Sequence, residues 1–176
     1  MDSYEREVWI AAPLEDVWAF HSSTDGLETL TPAWMDLRVE AAIGPEGERD
    51  PTVLESGSEI DLSMRPFGRG PRQHWRSLIT ARERTDGVAY FRDEMVDGPF
   101  DHWLHTHTFY ADGEQTLLRD RVEYALPFGA LGGTLGPFAR PGFEAMFRAR
   151  HAATKAALEG DDGTSRSRPV EPGRLE

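Results

Sequence analysis

His102, His105 and His107 fall within one short run, Asp97-Gly-Pro-Phe-Asp-His-Trp-Leu-His-Thr-His-Thr-Phe109. Imidazole is the side chain that exchanges protons near neutral pH, and its ring nitrogens also ligate metals. The run reads as a tight turn followed by a strand, and strand side chains alternate between faces. Trp103, His105, His107 and Phe109 therefore project one way, and His102, Leu104, Thr106, Thr108 and Tyr110 the other. A face of two aromatics and two imidazoles suits the lining of a pocket better than a dry core, because a buried imidazole costs free energy unless its nitrogens find partners.

Two carboxylates come into reach of that face. A hairpin centred on Pro99 pairs positions summing to about 198, which puts Asp93 opposite His105. The following strand brings Asp120 beside His105 or His107, depending on the loop register. Three readings of this row stand side by side. It is a buried network that satisfies its own polar atoms and holds the sheet in register; or a polar floor that orients a mainly apolar ligand; or a catalytic set, in which His105 or His107, held by Asp93 or Asp120, moves a proton beside a carbonyl. His105-Thr-His107 with either aspartate also has a spacing that metal sites use. Histidines two apart on an aromatic-flanked strand are read here as packed side chains, so neither a metal nor an organic cofactor is expected. His21 is read in the same way, and His74, His102 and His151 are expected to face solvent.

The elements that must position these groups are legible as periodicities. Residues 5 to 11 alternate as a strand that Pro13 stops. Leu14, Val17, Trp18 and His21 then recur at helical spacing, with Glu15 and Asp16 favourable beside the helix N-terminus. A second short helix is expected from Asp25 to Leu30, capped by Thr24. Residues 44 to 57, with two prolines and three glycines, read as a long connection. From Ser58 onward the period becomes two, giving strands at 58–64, 72–83, 88–96, 102–110 and 116–126, separated by turns such as Thr85-Asp86-Gly87 and Asp112-Gly113. Residues 127 to 137 are too rich in glycine to read as helix. An amphipathic helix is expected from Gly142 to Leu158, with Phe143, Met146, Phe147, Thr154 and Ala157 as its stripe.

The whole chain narrows the class. It has 176 residues, no cysteine, and a formal charge of −12, with Lys155 as the one lysine. One domain is the simplest organisation. The acidity argues against nucleic acid as a partner. No apolar run approaches the roughly 18 residues of a membrane span, and a cytoplasmic protein is expected. Heavy acidity almost without lysine fits a protein working in concentrated salt, although arginine-favouring codons produce the same bias.

Strand, two short helices, antiparallel meander and long C-terminal helix is the order of the helix-grip fold. The chain resembles the START and birch-pollen-allergen superfamily, also called SRPBCC or polyketide cyclase/dehydrase-like proteins, in its small stand-alone ligand-binding form. The resemblance covers about residues 3 to 159. It rests on Ala12-Pro13 before Val17-Trp18, on Asp97-Gly-Pro-Phe100 before Trp103, His105 and His107, on Asp120-Arg-Val122, and on Leu126-Pro127 before the glycine loop. It implies an α+β fold, a curved antiparallel sheet wrapped on the last helix, with a cavity between them. Relatives bind lipids, sterols, hormones or polyketides, and a minority catalyse cyclisation, dehydration or oxygenation, so the fold alone does not name the function. The metal-ligating cluster of the oxygenase relatives does not map onto this sequence.

The expectation is therefore a helix-grip domain over residues 1–159 and a disordered tail over 160–176. Its function is read as non-covalent binding of an apolar or amphipathic small molecule. The lining is expected from Trp18, Trp75, Phe91, Asp93, Trp103, His105, His107, Phe109, Asp120, Tyr124, Phe143 and Phe147; Arg140, Arg148 and Arg150 are read as solvated or paired with surface carboxylates, with an acidic ligand head as the alternative partner. The alternatives are a cyclase or dehydratase using a His–Asp pair among His105, His107, Asp93 and Asp120, and a partner-binding or chaperone-assisting module. Phe128 and Leu131, in the glycine loop, are candidates for a lid. Neither ligand identity nor oligomeric state follows from these residues.

Overall fold

The computed structural model describes residues 1–127 and 130–159, with Pro66 and the stretch 130–139 as backbone alone. The expected lid residue Phe128 and the expected tail beyond 159 lie outside the residues so described, and the expected lid residue Leu131 falls in the stretch described as backbone alone. The chain runs β1 (Asp2–Ile10), α1 (Leu14–His21), α2 (Thr24–Leu30), β2 (Arg38–Ile43), β3 (Glu59–Met64), β4 (Gln73–Thr85), β5 (Val88–Asp97), β6 (His102–Asp112), β7 (Gln115–Ala125) and α3 (Ala130–Leu158), with a 3-10 turn at Ala33–Met35. The seven strands make one antiparallel sheet in the order β1-β7-β6-β5-β4-β3-β2. This is the helix-grip fold. From β2 to β7 each strand pairs with the next, whereas α1 and α2 carry the chain from the β1 edge across to the β2 edge.

The alternation legible in the sequence is the alternation of burial. In β7 the even positions Thr116, Leu118, Asp120, Val122 and Tyr124 are buried, and the odd positions carry Arg119, Arg121 and Glu123 on the opposite face. In β6 His105, His107 and Phe109 are buried likewise. Register shifts in β4 at Arg76/Ser77 and Ile79/Ala81 increase the local twist and help curve the sheet round the helix. The turn into β6 needs Gly98: a Cβ there would stand 2.7 Å from Trp75 Cβ and 2.3 Å from Met95 Sδ.

The buried apolar residues form three separate clusters. One gathers Ile10, Leu14, Val17, Trp18, Ala89, Phe109 and Leu118 under α1; a second gathers Tyr4, Val122, Tyr124, Phe143 and Phe147 under α3; a third gathers Ala42, Leu54, Ile60, Leu62 and Ile79 on the β2–β4 side. Residues of the second and third clusters line a cavity between sheet and helices.

Several local expectations are corrected. Ser23, not Thr24, caps α2, its Oγ accepting from Gly26 N at 3.0 Å. The segment 38–43 forms β2, an edge strand paired with β3, whose mixed burial leaves a weak period-two signal. The helical backbone of α3 begins at Ala130, so it runs through the glycine-rich stretch expected to be loop. Glycine costs about 1 kcal/mol per helical position, a local preference that the rest of a long helix overrides. Among the described residues no helix is long and apolar enough to cross a membrane.

Candidate functional site

Strand register assembles a polar cluster in the middle of the concave face. Asp93 on β5 lies directly across from His105 on β6, and His107 directly across from Asp120 on β7. Asp120 is 2% exposed and serves three imidazoles. Its Oδ1 accepts from His105 Nε2 at 3.0 Å and its Oδ2 from His151 Nε2, on α3, at 2.6 Å. His107 Nδ1 lies 2.6 Å from Oδ1, yet that nitrogen is not aligned for a hydrogen bond, so the contact is an ion-pair approach. On the other side of the two rings, Asp93 Oδ1 stands 3.6 Å from both His105 Nδ1 and His107 Nε2, while Ser77 Oγ donates to Asp93 Oδ2 at 3.1 Å. The two imidazole centroids are 3.8 Å apart, and Phe91 stacks on His107 at 4.1 Å.

The electrostatics follow from burial set against these contacts. Burial alone would raise the Asp120 carboxyl, but His107, His105 and His151 outweigh it and hold the group well below the usual carboxylate range. Asp93 is treated likewise: burial raises it, and His107, His105 and the Ser77 hydroxyl bring it below its ordinary value. Burial lowers His107, yet Asp120 and Asp93 lift it above the ordinary imidazole value. His105 is lowered by burial and by His107, and His21 is pushed well below by burial and then by His107. In consequence both carboxyls lie below their ordinary value and His107 above its own, while His105 and His21 lie below theirs.

This cluster forms one wall of a cavity of about 330 Å³ between sheet and helices. Of the residues expected to line it, Trp75, Phe91, Asp93, Trp103, His105, His107, Phe143 and Phe147 do so. Trp18 and Phe109 instead pack edge-to-face on one another at 5.7 Å in the α1 cluster, and Tyr124 packs against Phe143 at 4.8 Å. Asp120 sits behind the histidines, not at the cavity surface. Each of these four is on the expected strand face or helix stripe, but it packs in a core cluster or behind the imidazoles and does not line the open volume.

Two residues of α3 correct the sequence reading. His151, expected in solvent, is 3% exposed and belongs to the Asp120 cluster. Arg150 reaches the cavity, its Nη1 donating to Thr31 Oγ1 at 3.3 Å. Among the described residues it has no carboxylate within ion-pair distance, and burial lowers its pKa against the opposing pull of Asp120 and Asp93. The signal was present: carried through Phe143, Phe147 and Thr154, the helical period includes position 151. The polar types at 150 and 151 masked it. Arg140 and Arg148 are exposed, with Arg148 paired to Glu144.

Residues 10–153 match the family described as polyketide cyclase / dehydrase and lipid transport. The chain belongs to that family. Several solved structures are similar to the chain in fold. The TTHA0849 protein of Thermus thermophilus superposes with a TM-score of 0.59 at 21% identity, covering 89% of this chain and 99% of its own. Truncated norcoclaurine synthase from Thalictrum flavum gives 0.64 at 16% identity, over 91% and 95%. Protein Ms6760 from Mycobacterium smegmatis gives 0.61 at 17%, over 88% and 89%. No curated protein matches the sequence. At these identities the likeness shows the helix-grip fold alone, and chemistry must be argued from the site.

Proposed function

We propose that this protein binds an apolar or amphipathic small molecule, non-covalently, in the cavity between sheet and α3. The observation that carries the reading is one wall: Asp93, His105 and His107 form a polar corner in a volume otherwise walled largely by side chains such as Ile60, Leu62, Trp75, Ile79, Trp103 and Phe147. Small-molecule sites combine apolar walls with a few placed polar groups, in volumes from about 300 Å³ upward. Arg150 adds a cation with no ion-pair partner among the described residues, which suits an acidic or phenolic head. Norcoclaurine synthase of the same fold was solved with dopamine and hydroxybenzaldehyde, and small aromatic molecules of that size are the class we infer. The setting proposed is the cytoplasm of a cell working at elevated salt, an inference from the absence of cysteine and the charge of −12.

The test uses 8-anilinonaphthalene-1-sulfonate, an apolar fluorophore with an anionic head. One saturable site per chain is expected, lost in Met146→Trp, which fills the cavity from α3, and weakened about tenfold in Arg150→Met. Binding indifferent to Met146→Trp would move the probe to another surface and overturn the reading.

The orientation of the imidazoles favours a second reading, a cyclase or dehydratase. Asp120 holds each ring from behind and leaves His105 Nδ1 and His107 Nε2 turned toward Asp93 at the cavity wall, where a base can take a proton beside a bound carbonyl. His107→Ala separates the two. A binder keeps most of its probe affinity and returns its ligand unchanged; an enzyme loses turnover by roughly 100-fold or more.

A further inference from the structure

Asp93, His105 and His107 present three acceptor atoms to one another. The carboxylate oxygen and the two imidazole nitrogens all lie within 4.8 Å of one another, and Asp93 Oδ1 is 3.6 Å from each ring nitrogen, too far for a hydrogen bond. Among the described residues the one hydrogen bond to Asp93 comes from Ser77, and it goes to the other oxygen, Oδ2. With both rings neutral, the three atoms are convergent acceptors on a buried wall, and they repel one another unless a cation lies between them. The spacing suits a metal: an ion with bonds of about 2.0–2.2 Å in tetrahedral geometry sets its donors about 3.3–3.6 Å apart.

The opposite edge of each ring is already engaged. Asp120 Oδ1 takes His105 Nε2–H at 3.0 Å and stands 2.6 Å from His107 Nδ1. That hydrogen bond assigns the His105 proton to Nε2 and leaves a lone pair on His105 Nδ1; His107, with Nδ1 beside the same carboxylate, turns Nε2 toward Asp93, where deprotonation supplies the second lone pair. A carboxylate behind a ligating imidazole fixes its tautomer and raises its basicity. The side chains are only 8%, 4% and 17% exposed for His105, His107 and Asp93, and all three line the cavity, so coordination positions on that side stay open to a ligand.

We propose that Asp93, His105 and His107 bind a divalent first-row transition metal through one carboxylate oxygen and two imidazole nitrogens, with Asp120 as the positioning residue and the cavity side open. Two nitrogens and one oxygen suit zinc, cobalt(II), iron(II) or nickel(II) rather than calcium or magnesium. The site requires no organic ligand, so it stands or falls separately from the small-molecule reading.

The experiment is titration of chelator-treated full-length protein with cobalt(II) alone, followed by its d–d absorption and by X-ray absorption of the loaded sample, with zinc(II) in competition. One ion per chain is expected, with two imidazole nitrogens in its coordination sphere. Asp93→Asn and His107→Ala should each abolish stoichiometric uptake, while His74→Ala, at an exposed histidine, leaves it unchanged. Asp120→Asn should weaken uptake about 10–100-fold and shift the d–d bands, a spectral change that a merely structural role would not produce. Absence of stoichiometric uptake overturns the proposal. So does a coordination sphere without imidazole, a result read on the wild-type protein whether or not the variants fold, and so does uptake that survives Asp93→Asn together with His107→Ala.

Discussion

At the scale of single residues the molecule turns on Asp120. A buried carboxylate is costly unless its lone pairs are taken, and here His105, His151 and the close approach of His107 take them. Removing it leaves three imidazoles facing a void. Asp120→Ala should therefore lower unfolding free energy by about 3–5 kcal/mol, as loss of one partner of a buried ion pair does. Urea unfolding should show a lower midpoint at an unchanged slope. A variant within about 0.5 kcal/mol of wild type would mean that the cluster contributes little to stability. Asp120 also shows what residue types alone leave open: the same aspartate reads as ligand contact, catalyst or anchor until its neighbours and its distance from the cavity are known.

At the scale of elements, α3 is held to β1 by a surface clamp as well as by its apolar stripe. Tyr4 Oη donates to Glu144 Oε2 at 2.7 Å, Arg6 Nη1 to Glu144 Oε1 at 2.6 Å, and Arg148 Nη2 to the same oxygen at 3.0 Å. The bond from Tyr4, with those from Arg148 and Arg6, holds the Glu144 carboxyl down at about 2, and burial with the same bond pushes Tyr4 up to about 12. A depressed carboxyl stabilises the fold above its unfolded pKa, and that stabilisation is lost as pH falls through the folded value. The melting temperature should thus decline between pH 4.5 and about 2, and Glu144→Gln should flatten that part of the profile. The tyrosine works in the opposite direction: its contribution is complete below pH 10 and lost as pH rises toward about 12. Absorbance titration of wild type against Tyr4→Phe checks it.

At the scale of the whole molecule, charge and cavity set the behaviour. The convex face carries ion pairs such as Arg76–Asp61, Arg119–Glu7 and Arg121–Glu5, but the formal charge of −12 leaves carboxylates in excess. Exposed pairs contribute little and salt screens them, while the same screening relieves the net repulsion. Raising potassium chloride from about 0.1 M to about 2 M should therefore raise the melting temperature; an unchanged value would remove the argument for salt adaptation. The cavity, lined by residues of the second and third core clusters, belongs to this scale as well, since no single element encloses it.

Period-two alternation and turn chemistry were enough to order the strands from Glu59 to Ala125, and the Asp93–His105 pair follows from the hairpin centred on Pro99, because antiparallel pairing across a short turn is a local geometric constraint. The helix-grip class and the face on which His105, His107 and Asp120 lie were legible for the same reason. His151 and Arg150 were not, because a polar residue on a helix stripe reads as solvated until a distant strand supplies its partner. Nor was the division of Trp18, Phe109, Tyr124 and Asp120 from the residues that touch the cavity. That depends on how far the curved sheet stands from α1 and α3, a long-range distance set by packing of the whole and encoded in no local period.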